Sequence, residues 1–305
     1  MRILLTGSTG LLGNAIISSS ISDQHEIIAP NRKNLDLLNQ SQVMNFLSQN
    51  HFDLVLHAAA KVGGIQANVN SPFEYGIENI TIDANLISAC RYTGIRNFIY
   101  FGSSCMYPHD TTQPMKINQI LTGKPESTNQ NYALAKIVGS ELVSSVSDQY
   151  KLNYKTLILS NIYGIGERLD KVNSHLIPAI LLKFRVAKNT QKKDVHIWGS
   201  GLARREFTYA SDVTDWLSHN IEKIDSWPKQ MNLGYGTDFS INDYYSFAEE
   251  ISGLKVKFEY DLTKPEGMKQ KLLDSSIASN NFGWSPKTHP KEGMSKLWEW
   301  MLHHE

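Results

Sequence analysis

The chain has 305 residues, 41% of them hydrophobic and 20% charged, enough for one large domain or two closely joined ones. Thirty basic and thirty acidic residues give a formal net charge of +0, so neither nucleic acid nor a membrane surface is an expected partner. Two cysteines, Cys90 and Cys105, are too few for a disulfide framework or a cysteine zinc site; no metal is expected, and no apolar run reaches membrane-spanning length. Because MRILLTGSTG already reads as strand and turn rather than a leader, the expected location is the cytoplasm.

The first apolar run, Arg2 to Thr6, leads into Gly7-Ser8-Thr9-Gly10-Leu11-Leu12-Gly13 and then a helical segment, Asn14 to Ser20. Glycines spaced G-x-x-G-x-x-G between a strand and a helix let the backbone approach a pyrophosphate, whose charge the free amides of the new helix favour. The second run, Glu26 to Ala29, ends in Pro30-Asn31-Arg32-Lys33, with no acid before Asp36 to hold unphosphorylated ribose hydroxyls. Arg32 and Lys33 offer positive charge to a 2′-phosphate instead, so the expected cofactor is NADP(H).

A third strand, Asp53 to His57, runs into the small residues Ala58 to Gly64, and Pro72 opens a helix to about Thr93 in which Cys90 is core. The next run, Asn97 to Tyr107 (NFIYFGSSCMY), is a buried strand that ends in small reactive side chains. In open α/β sheets ligands bind at that edge, so Ser103, Ser104 and Cys105 face a site. A polar loop reaches about Asn129, a helix runs from there to about Tyr150, and a strand follows from Tyr154 to Leu159. Strands alternating with helices make the fold α/β, a doubly wound parallel (Rossmann) sheet with right-handed crossovers.

Beyond Tyr163-Gly164 the pattern changes to a polar loop, a helix opened by Ser174-His175, and a strand near Val195 to Trp198. The expected division is a dinucleotide-binding domain, 1–163 plus about 206–234, and a smaller substrate lobe, about 164–205 plus 235–305, closed by a helix from Lys291 to His303.

The chemistry lies in three side chains. Tyr132 and Lys136 are four residues apart on one helix face, and Ser103 ends the strand before them. A phenol with a pKa near ~10 exchanges protons poorly at neutral pH, and an ammonium one turn away favours its phenolate. Ser103 can hydrogen-bond the carbonyl oxygen that Tyr132 protonates while a nicotinamide delivers hydride to its carbon. That is a carbonyl reductase site.

These features resemble the extended short-chain dehydrogenase/reductase family, and within it the GDP-L-fucose synthases. The motifs that carry the resemblance run nearly end to end: GSTGLLG, AAAKVGGI, FGSSCMYP, NYALAKI, NIYG, NSHLIPAIL, WGSGLARREF, and KPEG followed by KLLD. The resemblance implies Ser103, Tyr132 and Lys136 as the reductive trio, Cys105 and His175 as an epimerising acid/base pair, and a homodimer. It implies a GDP-linked keto-deoxy sugar as substrate, contacted by Lys183, Trp198, Arg205 and Glu266. The cofactor set it implies adds Asp36, Leu37, Phe101, Gly102, Ser103, Ser104, Lys136, Leu159, Ser160, Asn161, Ile162 and His175 to the glycine turn and Arg32. Two positions depart from the pattern, Gly166-Glu167-Arg168-Leu169 after the Tyr-Gly and Glu266 in place of Asp, which leaves open a different sugar such as a heptose. A rival of the same fold, a nucleotide-sugar 4-epimerase or dehydratase, would recycle its cofactor rather than consume it.

Overall fold

The computed structural model describes residues 1–167, 169, 175–264 and 266–304. From the N-terminus, β1 (Arg2–Thr6) turns into α1 (Leu11–Ile17) and α2 (Ser20–Gln24), and β2 (Glu26–Ile28) is followed by α3 (Gln40–Gln49). β3 (Leu54–His57) precedes α4 (Ile65–Asn70) and the long α5 (Pro72–Tyr92). β4 (Asn97–Ser103) leads through an irregular stretch to α6 (Gln130–Tyr150), β5 (Asn153–Leu159) and β6 (Asn161–Tyr163). The second half runs α7 (Leu176–Thr190), β7 (Asp194–Trp198), β8 (Arg204–Arg205), β9 (Phe207–Tyr209), α8 (Ala210–Asn220) and β10 (Gln230–Leu233). It ends with β11 (Phe239–Ser240), α9 (Ile241–Ser252), β12 (Lys257–Asp261), β13 (Gln270–Lys271), α10 (Ser276–Phe282) and α11 (Pro290–His303).

Six strands form one parallel sheet in the order β10-β5-β4-β3-β1-β2. The chain leaves β1 toward β2 on one side and continues from β3 on the other, so the carboxyl ends of β1 and β3 flank the crevice where such folds bind ligands. Alternation along the strands fills both faces. Ile3, Leu5, Leu56 and Ile99 pack with Trp216, Trp227 and Trp284 on one side, and Leu4, Val55, Phe98 and Tyr154 pack with α3, α5 and α6 on the other. Truncating a fully buried residue such as Leu4 to alanine costs about 2–5 kcal/mol.

The first helix differs from the sequence expectation. It starts at Leu11 and stops at Ile17, because the Ser19 hydroxyl donates to the Ile16 carbonyl and accepts the Ile21 amide, ending one helix and capping the next. A second core surrounds Phe184, Ile197, Tyr244, Leu297 and Met301. Met106, Tyr107 and Met115 from the stretch after β4 pack with Met268 and Leu273, joining this half to the sheet. Ala278 and Trp284, late in the chain, belong to the sheet's own core.

Candidate active site

At the switch point Gly7 has φ +75°, and a β-carbon on it would lie 2.5 Å from the Ala59 nitrogen. A β-carbon on Gly13 would lie 2.1 Å from the Gly7 carbonyl oxygen. Any side chain at either position would push β1, β3 and α1 apart. Gly10 caps α1 and is exposed, as is Thr9, so the turn presents open backbone. This cradle fits a dinucleotide pyrophosphate. Arg32 is exposed and 3.6 Å from Asp36, a contact weak enough to yield to a phosphate. Leu12, Leu37, Phe101 and Leu159 have their side chains in the cores, so what they offer a ligand is backbone. Ser160 is already bonded to Thr208, and the Asn161 amide donates to the Glu206 carbonyl. Ile162 packs at the edge of the sheet core, and Gly102 lies under Met106. The buried Ser104 hydroxyl has no partner among the described residues.

Ser103 ends β4, and Tyr132 and Lys136 project from α6, which packs along β4. Burial pushes the Tyr132 phenol well above its ordinary range, reinforced by Cys105 and Asp83, while the Ser103 hydroxyl pulls it back in part. The expected net lowering by Lys136 does not occur, because burial dominates. The Lys136 ammonium donates to the Phe101 carbonyl at 3.0 Å and lies 4.4 Å from the Tyr100 ring centroid. Burial lowers its pKa, with Asp83 opposing. In the free protein Tyr132 is therefore a neutral phenol, the form needed to give a proton to a reduced carbonyl oxygen.

Cys105 follows in a 3-10 turn, its amide donating to the Ser103 hydroxyl at 3.2 Å. Its sulfur accepts the Asn129 side-chain amide at 3.0 Å and the Lys271 ammonium at 3.6 Å. Neither partner is among the residues singled out from the sequence. β13 pairs with β8 so that Lys271 lies beside Arg205 and Gln270 beside Arg204. Alternation divides them: Arg204 and Gln270 bind Asp238 on one face, while Lys271 and Arg205 face the Cys105 side. Lys271 opens the KLLD motif, so the signal was in the sequence, but a two-residue strand gives no periodicity to show which way it points.

Arg205 donates to the Arg204 and Glu266 carbonyls, both at 2.8 Å, and Glu126, Cys105 and Glu266 counter the lowering of its pKa by burial. The Glu266 carboxylate accepts the Ser200 amide, which holds its pKa down. Lys183 donates to the His196 carbonyl and the Tyr245 hydroxyl, and burial brings its pKa down to about 8. Trp198 is 45% exposed between Lys183 and Lys264, so it is not a core residue. The four expected sugar-nucleotide residues thus lie side by side, Lys183 against Trp198, Glu266 against Gly199 and Arg205 on the Glu266 carbonyl. His175 caps α7 and burial lowers its pKa, but no hydrogen bond among the described residues joins it to Cys105. Arg168, Asn173, Ser174 and Pro265 lie outside the described residues. Glu167 is buried with one carboxylate oxygen unpartnered among them, its pKa pushed up to about 8.

Residues 3–234 match the model of the NAD dependent epimerase/dehydratase family. The chain belongs to that family. Among its members, the GDP-L-colitose synthase of Yersinia pseudotuberculosis is 41% identical over 303 residues, covering 99% of this chain and 98% of the relative. The GDP-L-fucose synthase of Escherichia coli is 32% identical over 313 residues, covering 100% and 97%. A GDP-mannoheptose C4 reductase from Campylobacter jejuni, solved with NADP bound, superposes with a TM-score of 0.88 at 28% identity, covering 99% of this chain and 98% of that one. A GDP-6-OMe-4-keto-L-xylo-heptose reductase from the same organism gives 0.89 at 26% identity, covering 100% and 98%. The resemblance to GDP-L-fucose synthases read from the motifs holds across the epimerase/dehydratase chain.

Proposed function

We propose that the chain is an NADPH-dependent epimerase/reductase of a GDP-4-keto-6-deoxy-hexose, inverting carbons next to the ketone, reducing the ketone and giving GDP-L-fucose. The observation that carries this reading is that one sheet edge holds two acid/base sets: Ser103, Tyr132 and Lys136, and Cys105 with Asn129 and Lys271 on its sulfur. A plain reductase needs only the first.

Hydrogens beside a ketone are acidic when the enolate oxygen is stabilised, and the Ser103 and Tyr132 hydroxyls are the donors for it. Inversion takes a proton from one face and returns one to the other, so two groups are needed; Cys105 serves one face and His175 the other. The glycine turn and Arg32 would hold NADPH, which when bound would supply the hydride for the ketone carbon. Tyr132 gives its proton to the oxygen, and Lys136 steadies the phenolate that remains. Lys183 and Arg205 hold the diphosphate, with Trp198 and Glu266 bordering the nucleotide. The sugar is held by a lobe made of about 164–205 and 235–305, and the cofactor by the remainder.

A second reading keeps the chemistry and changes the sugar. The solved GDP-heptose reductases, the Glu167 and Glu266 departures and the GDP-L-colitose synthase relative favour it. Incubation with GDP-4-keto-6-deoxy-mannose and NADPH, with the product identified by NMR, tests both. Stoichiometric NADPH loss with GDP-L-fucose formed supports the first reading; a ketone epimerised at its neighbouring carbons with NADPH left intact sinks both.

We place the chain in the cytoplasm, where its two free cysteines stay reduced. No helix among the described residues is long and apolar enough to cross a membrane. We also propose a homodimer through α5 and α6, which pack side by side and leave Phe73, Ile77, Leu134, Val138 and Leu142 exposed.

A further inference from the structure

Behind the reductive trio lies a chain of buried polar side chains that the chemistry above does not use. His57 and Tyr100 are 0% exposed and Asp83 is 1% exposed. Asp83 Oδ1 lies 3.0 Å from His57 Nε2, and its Oδ2 accepts the Tyr100 hydroxyl at 2.5 Å. His57 Nδ1 lies 2.7 Å from the Thr6 hydroxyl, which also accepts the Ala59 amide at 3.4 Å beside the glycine turn. At the other end, the Tyr100 ring lies against the Lys136 ammonium. Gly139, three residues along α6 from Lys136, admits this approach: a β-carbon there would lie 2.4 Å from the Tyr100 hydroxyl oxygen and 2.6 Å from Asp83 Oδ2.

We propose that Asp83 is a positioning residue for the reduction: held by His57 and Tyr100, its carboxylate is the buried counter-charge that keeps the Lys136 ammonium charged and in place behind Tyr132. The inference rests on the epimerase/reductase reading. A buried carboxylate needs hydrogen-bond partners for its oxygens, and both oxygens of Asp83 have one. Among the described residues Lys136 has one carbonyl and one ring face around it, and burial alone favours its neutral form; Asp83 opposes that. The other titratable groups facing the pair are His57 from β3, Tyr100 from β4, Tyr75 from α5, Tyr132 from α6 and Cys105 from the turn after β4. Burial favours the neutral form of His57, Tyr100 and Tyr132, so none of the three supplies a charge beside Lys136. Asp83 also opposes ionisation of Tyr132, so the phenol keeps its proton until the carbonyl is reduced, and the ammonium is there to receive the phenolate.

The test is Asp83→Asn, which keeps the shape and removes the charge. Reduction is followed from pH 6 to 10 as NADPH oxidation, and deuterium wash-in to the sugar is followed in heavy water. The expected result is a kcat for reduction at least about tenfold lower, with both KM values within about twofold. The alkaline limb should move down by at least about one pH unit, and wash-in should stay within about threefold of wild type. Tyr100→Phe keeps the ring over Lys136, drops one donor to Asp83, and should move the limb the same way by less. An alkaline limb unmoved in both variants overturns the proposal, as does parallel loss of reduction and wash-in. A wild-type chain that reduces no GDP-4-keto sugar sinks the functional reading and this inference with it.

Discussion

The Lys271 ammonium lies 3.6 Å from the Cys105 sulfur, although the two residues are 166 positions apart in the chain. The contact is made across the joint between the halves, since Cys105 belongs to the edge of the sheet and Lys271 to a small sheet with Arg204 and Arg205. In the proposed mechanism Cys105 takes a proton from the sugar, and a cation there would stabilise the negative charge on its sulfur. Lys271→Met should slow deuterium wash-in to the sugar by about tenfold or more, the equivalent of about 1.4 kcal/mol, with NADPH affinity unchanged. Wash-in at the wild-type rate would show that Lys271 only packs against the thiol.

The proposed cofactor choice rests on Arg32, whose one ionic contact among the described residues is the loose pair with Asp36. Arg32→Ala should weaken NADPH binding at least about tenfold, roughly 1.4 kcal/mol, and change NADH binding little. Fluorescence titration with each cofactor checks this. Equal losses for both would remove the 2′-phosphate from the account.

Lys183 gives a pH dependence with a definite sign. Burial lowers its pKa to about 8, so the free protein carries the cation below that pH and loses it above. A diphosphate ligand favours the charged form, so binding should weaken as pH rises past about 8, seen as a rising KM for the GDP-sugar. Lys183→Arg, which stays charged, should flatten that rise. A KM that is level from pH 7 to 9.5 in the wild type would take Lys183 off the diphosphate.

The frame was legible in the sequence, and the cross-lobe contacts were not. The glycine turn, the β4 strand and the α6 helix carry strong local signals, and Gly7, Ser103, Tyr132 and Lys136 stand where those signals put them. The helix break at Ser19 was hidden because the apolar spacing continues through it, while the serine side chains compete for backbone groups. Lys271 and Asn129 reach Cys105 through tertiary packing of short irregular segments, which leave no period to read. The Tyr132 shift runs opposite to the sequence expectation because one helix turn from Lys136 implies proximity, whereas the ammonium is drawn to the Phe101 carbonyl and the depth of the phenol dominates.

The proposed dimer gives a separate check. Phe73 is 69% exposed on α5, and Leu134, Val138 and Leu142 line the open side of α6 at four-residue spacing. Phe73→Asp together with Val138→Asp should convert a dimer to a monomer in sedimentation equilibrium with the fold retained. A wild-type monomer at micromolar concentration would discard the interface.

The central claim is that one cleft carries two separable chemistries, and deuterium wash-in with GDP-4-keto-6-deoxy-mannose measures it most directly. Cys105→Ser replaces the thiol with a hydroxyl too weakly acidic to act as a base, so wash-in should fall by about a hundredfold or more while the un-inverted ketone is still reduced. Tyr132→Phe should do the reverse: NADPH consumption collapses, and wash-in continues at a reduced rate because one donor to the enolate is gone. Cys105→Ser exchanging deuterium at the wild-type rate would contradict the account, since Cys105 would then be packing and the epimerising half would have no base.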